Sequence, residues 1–110
     1  MSFDTYEQTI TFNVNDTSNA TVTVLTNNSA QDLFIRKIGF SILTADNITF
    51  VNNGTTVWGP IYTGATGGFT EDLDRYPWKL LPGKSLTVTK QTAGTNMTVF
   101  GEYAYGVYLT

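Results

Sequence analysis

The segment TEDLDRYPW contains the residues best equipped for chemistry: Glu71, Asp72, Asp74 and Arg75. Paired carboxylates held a few ångströms apart in a cleft with aromatic walls could hydrolyse a glycosidic bond. The same oxygens could ligate calcium. The spacing matches no calcium loop, and a 110-residue chain has little room for a large cleft. The plainer reading is a solvated loop with local ion pairs, in which Arg75 either ties the loop down beside Asp74 or meets an acidic partner. The chain has no histidine and no cysteine. It therefore lacks the usual general base, the usual nitrogen ligand for metals, and any thiolate or disulfide chemistry. These residues give no catalytic set, no metal site and no cofactor site, and the expectation is a protein that is not an enzyme.

The elements that must position this loop read as strands. TITFNVN alternates, with Ile10, Phe12 and Val14 on one face and Thr11 and Asn13 on the other, and ATVTVLT repeats the pattern with Val22 and Val24. Leu33 to Leu43, LFIRKIGFSIL, is apolar on both faces, as suits a central strand. ITFVN and TTVWGPIY are separated by Asn53-Gly54, a strong hairpin signal because both residues tolerate positive φ. Pro60 cannot donate to a ladder, which makes its strand an edge or ends it there. Residues 63–84 form the longest irregular stretch. Beyond it SLTVTK and MTVFGEYAYGVYL flank QTAGTN, a further hairpin candidate. No segment holds a helical period with caps. Seven to eight short strands with little or no helix predict an all-β antiparallel sandwich, jelly-roll-like, in a single domain spanning 1–110. An immunoglobulin-like sandwich is the alternative, without its Cys…Trp…Cys mark.

Composition narrows the function classes. The formal net charge is −3, and the six basic residues, Arg36, Lys37, Arg75, Lys79, Lys84 and Lys90, form no run longer than two. A phosphate backbone requires a clustered basic face, so nucleic acid is not expected as a partner. The first residues, MSFDTYEQ, lack the basic and apolar runs of a secretory signal. No apolar run approaches the roughly 18 residues of a membrane span. Synthesis in a cytoplasm without a membrane partner is expected. Asn15, Asn19, Asn27, Asn47, Asn53 and Asn96 each precede Ser or Thr by two positions. Turn-to-strand junctions rich in Asn and Thr account for that pattern without glycosylation.

The aromatic residues carry the strongest signal. VWGPIYTGATGGF sets Trp58, Tyr62 and Phe69 among four glycines, and Tyr76 and Trp78 follow closely. Such rings fill a core, stack on sugars or anchor a protein interface, and interfaces favour Tyr, Trp and Arg. Trp58, Tyr62, Phe69, Arg75, Tyr76 and Trp78 are the expected partner-contact residues, with the glycines allowing close approach to another chain. Tyr103 and Tyr105 share one strand face, and Tyr108 falls on the other unless a bulge intervenes.

TVWGPIYTGATGGF, then YPW, LLPGKSLTV and the closing VFGEYAYGVYL resemble small bacteriophage head proteins of the decoration or cement type. The matching residues are Gly64, Gly67 and Gly68; Pro77 and Trp78; Pro82, Gly83, Leu86 and Val88; and Gly101, Tyr103 and Tyr105. They cover roughly the second half of the chain. The resemblance implies a sandwich without catalytic activity, made in a bacterial host's cytoplasm and carried on the outer surface of the virion. It implies a homotrimer that bridges subunits of the major capsid protein. The alternative is a carbohydrate-binding sandwich from a tail fibre or a glycan-degrading enzyme.

Overall fold

Apolar residues at every second position of a strand share one face, and two sheets that face each other take both such faces out of water. In the computed structural model, which describes residues 5–6, 9–16, 20–63, 67–91 and 96–107, ten strands do so. They are β1 (Thr5–Tyr6), β2 (Ile10–Asp16), β3 (Thr21–Thr26), β4 (Leu33–Ile42), β5 (Asp46–Asn52), β6 (Thr55–Thr63), β7 (Gly67–Asp72), β8 (Trp78–Leu80), β9 (Ser85–Lys90) and β10 (Met97–Val107). No helix occurs among the described residues.

One sheet runs β2-β10-β4-β7, with β1 prolonging the β2 edge along β10 and β8 prolonging the β7 edge along β4. The other runs β3-β9-β5-β6, and every pairing is antiparallel. The pairs β2·β10, β3·β9, β4·β7 and β5·β6 are nested inside one another along the chain. That nesting is the jelly roll, built from eight principal strands and two short extensions.

The alternation expected from sequence fills the space between the sheets. Leu33, Ile35, Ile38, Phe40 and Ile42 of β4 are buried against Val22 and Val24 of β3, Ile48 and Phe50 of β5, and Leu86 and Val88 of β9. Each such side chain contributes about 1.5–3 kcal/mol of burial. Ile35 and Ile38 both face inward because β4 carries an extra residue between them, seen as a register shift where Glu102 pairs Lys37 and Tyr103 pairs Ile35. The shift keeps both halves of a ten-residue strand facing the core.

Asn53 and Gly54, at φ 50° and 83°, make the two-residue turn between β5 and β6 that their sequence predicted. Pro60 lies within β6, and β6 is a sheet edge. Two expectations need correction. The 63–84 stretch is not irregular throughout, since β7 and β8 occupy part of it and both pair with β4. QTAGTN does not close a hairpin: β9 and β10 belong to different sheets, and residues 92–95 of that link lie outside the described residues.

Two polar residues sit deep in this frame. Lys90 faces inward with its side chain fully buried, and its Nζ lies 2.9 Å from Oδ1 of Asp16, joining β9 of one sheet to β2 of the other. Asn27 is fully buried after β3. Its Nδ2 donates to the carbonyls of Gln31 (2.7 Å) and Leu80 (2.8 Å). Its Oδ1 accepts from the Ser29 amide (3.0 Å) and hydroxyl (2.7 Å). All four side-chain capacities are used, so Asn27 is a corner brace.

Candidate partner-contact surface

The side of the sandwich bounded by β6 and by β7 with β8 holds the residues singled out from sequence. Five rings meet there: Phe40, Phe50, Trp58, Phe69 and Trp78. Phe50 and Trp58, register partners on β5 and β6, stack with centroids 5.0 Å apart. Phe40 touches Phe50 (5.8 Å), Trp58 (5.7 Å) and Phe69 (5.8 Å). Trp78 closes the group at 6.1 Å from Phe50 and 6.3 Å from Trp58. Rings from both sheets thus seal the gap between the β6 and β7–β8 edges.

This separates the six expected contact residues into two groups. Trp58 and Trp78 are half-buried and packed on the core, and their planes are tilted 58° apart. They do not form the flat exposed platform that a sugar-stacking reading requires. Phe69 packs one side on Phe40 and leaves 48% of itself exposed. Tyr62 and Tyr76 project into solvent at 73% and 76% exposure. Arg75 places its guanidinium carbon 5.7 Å from the Tyr76 ring centroid, a distance compatible with cation–π attraction.

The loop that carries Arg75 and Tyr76 is held at its base. The Leu73 amide donates to the Arg36 carbonyl at 2.8 Å, and the Asp74 amide donates to Oδ1 of Asp72 at 2.9 Å. Nε of Arg36 donates to Oδ1 of Asp74 at 2.8 Å. Arg36, on the β4 bulge, is therefore the residue paired with Asp74, while Arg75 is left over Tyr76. Glu71, Asp72 and Asp74 are all exposed. Two of these acids are engaged in holding the loop's own backbone and Arg36. Among the described residues no group of three or more Asp, Glu, His or Cys is placed to hold a metal.

The glycines act within the chain. A Cβ on Gly68 would run into the carbonyl oxygen of Phe40, so this residue lets β7 approach β4, whereas a Cβ on Gly67 would meet nothing within 4 Å. Gly64 lies outside the described residues, as does Tyr108. Tyr103 and Tyr105 do share a face, with rings edge-to-face at 5.9 Å. Burial foremost, and then the neighbouring Tyr105, raises the Tyr103 pKa above the ordinary 10.0 of a phenol.

Sequence reasoning passed over Phe100. Its ring lies across Gly39, whose Cβ would come within 2.6 Å of it. It borders a hollow of about 430 Å³ lined also by Thr11, Phe12, Asn13, Lys37 and Glu102. The signal was the Gly39–Phe100 register pair, visible only once β4 and β10 are known to be neighbours.

No protein-family model matches the chain, and no curated protein sequence matches it. Solved structures do. A chain of the acidic stable capsid structure of Helicobacter pylori bacteriophage KHP30 is similar with a TM-score of 0.63 at 5% identity, covering 100% of this chain and 99% of that one. A chain of the cyanophage Pam1 capsid asymmetric unit has a TM-score of 0.52 at 7% identity, covering 94% and 85%. A chain of the Bacillus endospore appendages, described as a novel family of disulfide-linked pili, reaches 0.49 at 12% identity, covering 100% and 92%. With the two phage chains, what this protein shares is its fold, the two-sheet roll.

Proposed function

We propose that this chain is a structural virion protein of a tailed bacteriophage, one that decorates the head and cements neighbouring major-capsid-protein subunits from the outer surface. The observation that carries this reading is the whole-length likeness to a chain of a phage capsid structure, 100% of one and 99% of the other. The sequence resemblance to head decoration proteins supports it from the residues. So does the surface, where large rings stand exposed on a chain with few charges.

In this reading the closed ring cluster and the exposed side chains have different tasks. Trp58 and Trp78 hold β6 and β8 in place, so that Tyr62, Phe69, Arg75 and Tyr76 are presented with little freedom left to lose on docking. Many copies on one shell add weak contacts into strong reinforcement. The reading calls for no catalytic step.

The test is binding of the purified protein to phage heads that lack it. A Tyr62→Ala, Tyr76→Ala double variant is expected to keep its circular dichroism spectrum and to bind at least tenfold more weakly, a loss of about 1.4 kcal/mol. Trp58→Ala is expected to lower the melting temperature instead. Heads that take up the double variant as readily as the wild type would remove these residues from the contact. Heads that take up neither would end the proposal.

A further inference from the structure

Four strands form the lateral edges of the two sheets, and three are guarded against pairing with another chain. β6 carries Pro60 and two register shifts against β5. β3 is shifted against β9 between Thr23 and Leu25. β2 ends on the inward-facing Asp16, paired with Lys90. Proline, bulges and inward charges are the usual devices that keep an edge from recruiting a stranger. β7 has neither proline, lysine nor bulge, and its two charges, Glu71 and Asp72, stand together at its C-terminal end, with Glu71 on the same face as Phe69. Its six residues match β4 one for one, Gly67 to Ile42 through Asp72 to Lys37, and all six are exposed. Among the described residues nothing pairs with its outer side.

We propose that the β7 edge pairs with β7 of a second copy of this chain, forming a two-fold dimer with one sheet continuous across both. Antiparallel strands related by a two-fold axis must oppose residues of the same face. The register centred on Phe69 then sets Phe69 against Phe69, Gly68 against Thr70 and Gly67 against Glu71. Each choice is favourable. The half-exposed ring, covered by Phe40 on one side only, gains a cross-strand aromatic partner. Each Glu71 faces a glycine and lies four residues from its mate, about 13 Å along the strand. That exceeds the ~8–10 Å over which salt leaves such charges felt. The acidic end of β7 therefore does not oppose self-pairing.

A ladder of five residues from each strand, Gly67 to Glu71, is small beside a standard interface, so the dissociation constant should lie between about 1 μM and 1 mM. The dimer forms in free solution and does not depend on attachment to a head. It also replaces the threefold grouping implied by the sequence resemblance.

The absence of cysteine allows a direct test. Opposed residues of an antiparallel pair have Cα atoms about 4.5–5.5 Å apart, inside the span a disulfide bridges. Phe69→Cys is therefore expected to give a covalent dimer under mild oxidation. Gly67→Cys, at an open position about 13 Å from its mate in this register, should cross-link at least tenfold more slowly. Sedimentation equilibrium of the wild-type chain, which is immune to any folding defect in the variants, is expected to show monomer and dimer exchanging in that concentration range. A wild-type chain that stays monomeric above it, or sediments as a trimer, overturns the proposal. So does equal cross-linking of the two variants.

Discussion

Single residues here divide between bracing the fold and facing outward, and burial decides which. Trp58, Tyr62 and Trp78 are alike in the sequence, as large rings near glycine or proline, yet Tyr62 stands mostly in solvent while Trp58 and Trp78 are half-buried on the core. The difference lies in ring partners on other strands, Phe40 and Phe50, whose contacts with Trp58 and Trp78 depend on how those strands pair and pack. Tyr103 illustrates the energetic side. Its phenol is partly buried beside Tyr105, so the neutral form is favoured in the folded protein and its pKa is raised. The proton is thus bound more tightly when folded, and the associated stability is complete below pH 10. It is lost as pH rises through the folded value. A melting-temperature series from pH 8 to above pH 10 should show an alkaline decline, and Tyr103→Phe should make that decline shallower. Equal slopes in the two proteins would remove Tyr103 as a cause.

At the scale of elements, β7 is the instructive case. Two glycines followed by Phe-Thr-Glu-Asp have little intrinsic preference for a strand. The segment extends because β4 offers it a complete ladder and because Gly68 has no side chain to block the approach. Gly68→Ala should therefore cost about 1–3 kcal/mol through overpacking, read as a fall in melting temperature. Gly67→Ala, one residue away in open space, should change stability by no more than about 0.5 kcal/mol. Similar losses in both would mean that chain entropy, and not the Phe40 carbonyl, sets the requirement. The same contrast shows what was legible beforehand. β2, β3, β4, β5, β6, β9 and β10 announce themselves through alternation or continuous apolar runs, and Asn53-Gly54 announces its turn. β7 and β8 are held by tertiary pairing alone, so local residues read as loop. The link from β9 to β10 looked like a hairpin because turn chemistry is the same whether a chain reverses within a sheet or crosses between two.

The molecule as a whole is a long object, 47 × 24 × 21 Å, with a core that is apolar nearly throughout. The main exception, the Lys90–Asp16 pair, spans the two sheets near one end. Breaking a buried pair from one side leaves a charge poorly compensated, so Asp16→Ala should cost about 3–5 kcal/mol. Replacing both partners together, Asp16→Val with Lys90→Met, should cost much less. Equal losses in the single and double variants, by chemical denaturation, would show that the pair contributes through packing alone. The nesting of strands has a temporal consequence as well. Asn15 and Thr98 bond side chain to side chain across 83 positions, and closing so long a loop costs about 4 kcal/mol beyond the constant term. The larger sheet cannot be completed until β10, the last strand of the chain order, is available to lie between β2 and β4. Folding is therefore a late, concerted event after most of the chain has left the ribosome, and it should take milliseconds to seconds, not microseconds.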